Sequence, residues 1–191
     1  MLFIYIHGFN SSPQSFKAQC FFNFLSNNYP LNEFIAPQLS DLPSNAINTL
    51  SQCIEQHIKS TRIALIGSSL GGFYATWLAQ KYALKAVLVN PAVNPDKLLI
   101  DYLGKNTNYH TGEEYVFTQE HIHQLAHLSV NHLKTPQKLM VMLQTGDEVL
   151  DYRLAKLKYT DTYLIIESGG DHSFQNFEQH CENIFQFLNA L

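Results

Sequence analysis

The chain has 191 residues, of which 46% are hydrophobic and 15% are charged, and its formal net charge is −4. This length and composition predict one globular domain, residues 1–191, and exclude a disordered chain. The slight acidity provides no basic surface for nucleic acid or for an anionic membrane, so neither is expected as a partner.

Two further features bear on where the protein works. No apolar run approaches the ~18 residues that a membrane span requires, and the start, MLFIYIHG, lacks the positive segment and cleavage site of a signal peptide. The three cysteines, an odd number without paired spacing, argue against a disulfide framework. We therefore expect a cytoplasmic protein.

Short apolar runs alternate with longer amphipathic segments along most of the chain. The apolar runs predict six strands, at 2–6, 33–37, 62–67, 85–90, 138–144 and 162–167. Strands that are apolar on both faces are typical of a parallel sheet covered by helices on both sides. The sequence therefore predicts an α/β fold with a six-stranded parallel sheet flanked by helices.

The first helix is expected between the first two strands. Ser12 and Pro13 predict its start, because serine is a favoured N-cap and proline a favoured first helical residue. It should run to about Asn27. Its predicted apolar stripe consists of Phe16, Cys20 and Phe24.

Residues 91–136 break the alternation of strands and helices, and no strong strand is predicted there. Such an insertion over the C-terminal edge of the sheet is typical of a cap or lid. The aromatic residues of this predicted cap are Tyr102, Tyr109, Tyr115 and Phe117.

The third predicted strand ends in a glycine- and serine-rich turn, GSSLG at 67–71. The turn fits neither the dinucleotide fingerprint nor the P-loop, since the glycine spacing and the lysine that these need are missing. It matches G-x-S-x-G, the strand-to-helix turn that exposes a nucleophilic serine. Gly67 and Gly71 stand two residues to either side of Ser69, where side chains would clash. We therefore predict Ser69, and not Ser68, as the nucleophile.

A serine hydroxyl needs a base to become an effective nucleophile. In α/β-hydrolases the serine is followed along the chain by an acid and then by a histidine. His172 follows the last predicted strand in the segment GGDHSF and is predicted as the base. Asp147 comes directly after Gly146, just past the fifth strand, and is predicted as the acid that orients the base. Asp151 is expected to cap the next helix instead.

Two backbone N–H groups are predicted to form an oxyanion hole. Leu70 follows the nucleophile at the N-terminus of a helix, where the helix dipole favours negative charge. Phe9 lies in the loop after the first strand, where Gly8 lets the backbone approach the site, and Asn10 is the alternative donor. His7 is predicted to organise this loop by hydrogen bonding rather than to act as a second base.

The histidines of residues 120–127, EHIHQLAH, raise the question of a metal site. His123 and His127 share one helical face. The segment has neither an H-E-x-x-H motif nor a third carboxylate ligand at helical spacing. We therefore predict no metal and interpret the segment as a polar lid helix.

Together these segments resemble the YqiA-type esterases, small bacterial single-domain α/β-hydrolases. The segments that carry the resemblance include YIHGFNSSP, GSSLGGFYATWLA, VNPAV, DYLG, QTGDEVLDYR and GGDHSF, and they span nearly the whole chain. The resemblance implies a compact α/β-hydrolase fold with strand order 2-1-3-4-5-6, hydrolysis of carboxylic esters of simple acyl groups, and no cofactor. It carries over onto Ser69, Asp147 and His172.

One residue departs from the family pattern. Asp171 stands where the resemblance implies a smaller residue or an amide. A carboxylate beside the base can alter its protonation, so the resemblance does not fix the pH optimum.

The predicted function is two-step acyl transfer on a small-molecule ester or thioester, with Ser69 as nucleophile and water as the final acceptor. The aromatic residues of the predicted cap at 91–136 are expected to set acyl specificity. The alternative, from a different class, is a non-catalytic binding module that keeps the fold and holds an acyl ligand or a partner protein. Loss of a triad residue is the usual sign of such a module, and this sequence retains all three.

Overall fold

Strands and helices alternate along the chain in the computed structural model, which describes every residue except Tyr109 and Leu191. The strands are β1 (Leu2–Ile6), β2 (Glu33–Ile35), β3 (Ile63–Ser68), β4 (Lys85–Val89), β5 (Gly104–Thr107), β6 (Glu114–Phe117), β7 (Leu139–Gln144) and β8 (Tyr163–Glu167). The helices are α1 (Phe16–Asn28), α2 (Pro43–His57), α3 (Leu70–Tyr82), α4 (Pro95–Leu98), α5 (Gln119–His127), α6 (Tyr152–Lys158) and α7 (Cys181–Asn189).

Six of the strands form one parallel sheet in the order β2-β1-β3-β4-β7-β8. Counted among these six, the order is 2-1-3-4-5-6, as the resemblance implied. Strand β3 lies between β1 and β4 and is buried along its whole length. Both faces of the sheet are covered, which explains the uninterrupted apolar runs of the sequence. The predicted α/β fold with a six-stranded parallel sheet flanked by helices is confirmed.

The sheet separates two hydrophobic cores. Strand β1 sends Leu2, Ile4 and Ile6 into the core beneath α2 and α3, and Phe3 and Tyr5 into the core beneath α1 and α7. This alternation follows from the two-residue repeat of a strand. Because all six strands are parallel, their carboxyl ends share one edge, and the loops that leave this edge can meet in one site.

Helix α1 begins later than predicted. Residues 12–15 form a turn in which Ser12 Oγ accepts a hydrogen bond from Gln14 N and the Ser12 carbonyl accepts one from Ser15 N. The helix begins at Phe16 with Ser15 as its N-cap residue. The predicted start at Ser12 and Pro13 is wrong because the residue types that favour a helix start also favour a turn.

The buried face of α1 also differs from the prediction. Ala18, Phe21 and Leu25 are buried, whereas Phe16, the first residue of the predicted stripe, is 67% exposed. The segment FKAQCFFNFL is apolar on two neighbouring stripes. Periodicity alone therefore could not choose between the two stripes.

Residues 91–136 contain a strand pair that the sequence did not indicate. Strands β5 and β6 form an antiparallel hairpin, separate from the main sheet. Strand β5 reads GKNT and has no apolar alternation, so no strand signal was present.

Among the residues that the structure describes, no helix is both long and apolar enough to cross a bilayer.

The hairpin segment lies against the loop that follows β1. The rings of Tyr102, Tyr115 and Phe117 lie with their centroids 5.1, 6.3 and 6.0 Å from that of Phe9. The Tyr115 hydroxyl also donates a hydrogen bond to Asn10 Oδ1 at 2.8 Å. The aromatic residues proposed for the cap therefore contact the predicted oxyanion loop. Tyr109, the fourth of them, lies outside the described residues.

Candidate active site

Ser69 forms the sharp turn between β3 and α3. Its φ of 56° and ψ of −122° are strained for a residue with a side chain. A Cβ on Gly67 would clash with the carbonyl of Gly71, and a Cβ on Gly71 would clash with the carbonyl of Ile6. The two glycines therefore permit the turn, which presents Ser69 at the carboxyl edge of the sheet.

The Ser69 hydroxyl faces the imidazole of His172, with Oγ 3.1 Å from Nε2. The other ring nitrogen, Nδ1, donates to the Asp147 carboxylate at 2.8 Å to Oδ2 and 3.0 Å to Oδ1. With its proton on Nδ1, the ring offers the Nε2 lone pair to the serine hydroxyl. The structure thus brings the three predicted residues together from the loops after β3, β7 and β8.

The carboxylate of Asp147 is nearly inaccessible, with 2% of its side chain exposed. Its Oδ1 also accepts hydrogen bonds from Val149 N at 2.9 Å and Leu150 N at 2.8 Å. Burial raises the pKa of Asp147, but the hydrogen bonds from His172 and from these backbone groups outweigh it and hold the pKa below its ordinary value. Asp147 is therefore ionised at neutral pH and can orient the imidazole.

The other acidic residues of the Asp147 loop have different contacts. Asp151 is the N-cap of α6, where Oδ1 accepts from Arg153 N at 2.9 Å, and it also pairs with the Arg153 guanidinium. The prediction that Asp151 caps this helix is confirmed. Glu148 Oε2 accepts a hydrogen bond from His172 N at 3.0 Å, which holds the backbone of the histidine.

Asp171, the departure from the family pattern, precedes the histidine in the loop after β8. Its Oδ2 accepts a hydrogen bond from Gln175 Nε2 at 2.9 Å. This contact directs the carboxylate along its own loop rather than onto the imidazole.

The backbone N–H groups of Phe9 and Leu70 are available at this edge. Within the described part of the chain, neither donates to an acceptor. The loop of Phe9 packs closely on the serine turn. If Gly8 carried a Cβ, that atom would lie only 3.2 Å from Ser69 Cβ. An unpaired N–H at the start of a helix and a second in an adjoining loop are suitable donors to a developing oxyanion.

His7 and Asn10 organise the loop of Phe9. Leu39 N donates to His7 Nε2 at 3.1 Å, so the proton is on Nδ1, which donates to the Gly8 carbonyl at 2.9 Å. Burial lowers the pKa of His7, which favours this neutral form. The predicted loop-organising role of His7 is confirmed.

Two buried amides that the sequence reading missed hold the loop of His172. Asn90, which follows β4, donates from Nδ2 to the carbonyls of Asp171 at 3.1 Å and His172 at 3.3 Å. Its Oδ1 accepts from Gln144 N, and the Gln144 side chain binds the backbone of Gln175 through both Oε1 and Nε2. A polar residue at the end of an apolar strand, as in KAVLVN and KLMVMLQ, is the signal that points to both.

In the described residues, no group of three or more acidic, histidine or cysteine side chains is arranged to hold a metal ion. On α5, the amide Nε2 of Gln119 is within hydrogen-bonding distance of His123 Nε2, at 3.4 Å.

The sequence matches one protein family along nearly its whole length. The model of a family described as an uncharacterised protein family, UPF0227, matches residues 2–189. A UPF0227 protein of Vibrio atlanticus (strain LGP32) is 22% identical over 191 residues, which cover 99% of this chain and 100% of the relative. A UPF0227 protein of Pectobacterium atrosepticum is 24% identical over 190 residues, which cover 97% of this chain and 98% of the relative.

Solved structures with a similar fold are α/β-hydrolases. Est1E from Butyrivibrio proteoclasticus has a TM-score of 0.74 at 16% identity and covers 97% of this chain and 86% of its own. The alpha/beta hydrolase domain-containing protein 10 from mouse has a TM-score of 0.72 at 17% identity, with coverages of 98% and 90%. At such identities the likeness shows the fold, and it confirms the α/β-hydrolase fold.

Proposed function

The chain belongs to the UPF0227 family, the YqiA-type proteins that its sequence resembles, and we propose that it is a serine esterase. It hydrolyses carboxylic esters of simple acyl groups, and thioesters fit the same chemistry. No cofactor takes part. The observation that supports this most is the continuous hydrogen-bonded series from Asp147 through His172 to Ser69 Oγ, with steps of 2.8 and 3.1 Å.

In the first half-reaction, Ser69 Oγ attacks the ester carbonyl carbon while His172 Nε2 takes the hydroxyl proton. The carbonyl oxygen becomes an oxyanion, which the N–H groups of Phe9 and Leu70 stabilise. The carbon–oxygen bond to the alcohol then breaks, and His172 gives its proton to the departing oxygen. The ionised Asp147 stabilises the imidazolium that exists between these two proton transfers.

In the second half-reaction, water attacks the acyl group on Ser69. His172 takes a proton from this water and returns it to Ser69 Oγ as the acyl–oxygen bond breaks. The carboxylic acid leaves and the enzyme is regenerated. The same base and the same two N–H donors therefore serve both half-reactions.

We extend the proposal to residues 91–136 as a cap within the single domain that sets acyl specificity. A hollow of about 130 Å³ between the segment after β4 and the segment after β7 supports this. Its lining comprises the apolar residues Pro91, Val93, Leu98, Leu150 and Leu154, together with Asn94, Lys97 and Asp151. The segment is tied to the nucleophile, because Ala92 N donates to the Ser69 carbonyl at 3.0 Å. Such a hollow suits the acyl chain of the substrate.

We propose the cytoplasm as the place of the reaction. The three cysteines, Cys20, Cys53 and Cys181, are free thiols. Free thiols are typical of proteins in a reducing compartment.

The experiment that tests the proposed function is labelling with a fluorophosphonate, which forms a covalent bond with an activated serine. We expect one label for each protein molecule, located on Ser69 by peptide mass spectrometry and lost in Ser69→Ala. Folded wild-type protein that takes up no label would refute the esterase and favour the non-catalytic binding module.

A further inference from the structure

A cavity of about 250 Å³ opens beside Ser69 on the side of β1. Its polar lining includes the hydroxyl groups of Tyr5, Ser11 and Ser15 and the side chain of Lys17. Among the described residues that line it, Phe9 has the one purely hydrocarbon side chain. This cavity therefore suits a polar group of the substrate rather than a hydrocarbon chain.

The polar cavity and the apolar hollow of Val93, Leu98, Leu150 and Leu154 are lined by different loops at the carboxyl edge of the sheet. Strand β3, which leads into Ser69, lies between β1 on the side of the cavity and β4 on the side of the hollow. No described residue lines both spaces. If the esterase proposal holds, an ester at Ser69 places its acyl chain in the hollow and its alcohol part in the polar cavity.

Lys17 is the one lysine or arginine among the described residues that line the polar cavity. It lies in the first turn of α1, and its Nζ donates a hydrogen bond to the Ser173 carbonyl at 2.8 Å. An ammonium group has three donors. Within the described part of the chain, no carboxylate lies within 4.0 Å of Lys17 Nζ, and the ion pairs found involve other residues.

The environment of Lys17 favours a bound anion. Burial lowers the pKa of Lys17, and the more distant charges of Asp171 and Asp147 raise it. Asp147 is hydrogen-bonded to His172, and Asp171 Oδ2 to Gln175, while Asp171 Oδ1 is buried without a partner in the described residues. A partly desolvated ammonium without a direct counter-ion gains from an anion that enters the cavity.

We propose that the substrate is an ester whose alcohol part carries a phosphate or carboxylate group, which Lys17 binds while Ser69 attacks the carbonyl. The positive end of the α1 dipole lies at the same edge and adds to this attraction. The competing role for Lys17 is a purely structural one, as a counter-charge to Asp171 and Asp147 that holds the loop of His172.

The test compares charged and neutral acetates by titration of the acid released. The charged substrates are 2-acetoxyethyl phosphate and acetoxyacetate, and their neutral counterparts are 2-methoxyethyl acetate and acetoxyacetamide. A third pair, monoethyl succinate and its neutral counterpart ethyl butyrate, carries the charge on the acyl side and serves as a control. We expect the wild type to prefer at least one charged acetate by kcat/KM, and the preferred one identifies the anion as phosphate or carboxylate.

The variants separate substrate binding from a structural role. Lys17→Met should lower kcat/KM for the preferred charged acetate about 10–100-fold, the range of a hydrogen bond to a charged group, and leave the neutral acetate nearly unchanged. Lys17→Arg should keep the preference. Lys59→Met, which removes a lysine at the opposite edge of the sheet, should have no effect on it.

Three results would overturn the proposal: no preference for either charged acetate, a preference confined to monoethyl succinate, or an equal loss on charged and neutral esters in Lys17→Met. If Lys17→Met does not fold, the proposal is judged on two other results. These are the preference of the wild type for a charged over a neutral acetate and the retention of that preference in Lys17→Arg. Fluorophosphonate labelling of the same samples separates the two claims. Protein that is labelled on Ser69 but lacks the preference refutes the anionic alcohol alone, whereas unlabelled protein refutes the esterase as well.

Discussion

The carboxylate of Asp147 and the imidazole of His172 lie 2.8 Å apart, although they are 25 positions apart in the chain. The carboxylate is fixed by two N–H groups of its own loop, those of Val149 and Leu150. The imidazole is fixed through its backbone, which Glu148 and Asn90 hold. Each partner is thus held by hydrogen bonds other than the one between them, so the imidazole presents Nε2 to the serine in a fixed orientation.

Asp147→Asn should fold normally and lose about 10⁴-fold in kcat, because an amide cannot hold the required tautomer of the base. The matched control is Asp151→Asn in the same loop. It should remain active and lose ~0.5–2 kcal/mol of stability, since Asp151 caps α6. Turnover of 4-nitrophenyl butyrate and urea unfolding measure the two effects. Exchanged phenotypes would make Asp151 the acid.

The ionisation of Asp147 should also stabilise the fold. The pKa of Asp147 is lower in the folded state than in the unfolded state, where it is about 3.9. The stabilisation by the ionised carboxylate is therefore complete above about pH 3.9 and is lost as the pH falls through the pKa of the folded state. The free energy of unfolding of wild type minus that of Asp147→Asn should therefore decrease as the pH falls below about 4. Urea denaturation between about pH 5 and the acid limit of the folded state measures it. A difference that grows as the pH falls below about 4 would contradict the lowered pKa.

The features that the sequence predicted are those that depend on local spacing. The turn at Ser69 needs glycine two residues away on each side, and the six sheet strands are continuous apolar runs. These signals are contained in a few neighbouring residues, so tertiary contacts were not needed to recognise them.

The features that the sequence did not predict depend on contacts between distant segments. Strand β5 pairs with β6 in a hairpin that lies against Phe9, and its own residues carry no strand signal. The start of α1 depends on the turn at Ser12. Asn90 and Gln144 act on the loop of His172 only because parallel strands end at one edge of the sheet.

Asn90→Ala should lower kcat without removing any group that touches the substrate. The substitution removes the donors to the Asp171 and His172 carbonyls and the acceptor for Gln144 N. Loss of buried hydrogen bonds should cost about 1–3 kcal/mol of stability and loosen the imidazole. Asn28→Ala, which removes an exposed amide of α1, is the control. Unchanged turnover in a destabilised Asn90→Ala would show that Asn90 serves stability alone.

Leu98→Trp should shorten the range of acyl chains that the enzyme accepts. Leu98 is 43% exposed and lines the apolar hollow, so a larger side chain there fills space without disturbing the core. Rates on 4-nitrophenyl acetate should persist while rates on longer acyl esters fall. Leu157→Trp, on the exposed part of α6, is the control. A uniform loss along the series would indicate that the cap acts only by positioning the loop of Phe9.

The central claim is that Ser69 carries the acyl group between the two half-reactions. The most direct measurement is acid quenching during turnover of 4-nitrophenyl butyrate, followed by peptide mass spectrometry to locate the butyryl group. We predict a butyryl ester on Ser69 in the wild type and in Ser68→Ala, and none in Ser69→Ala, which should not turn over. A butyryl group on Ser68, or continued turnover by Ser69→Ala, would contradict the claim.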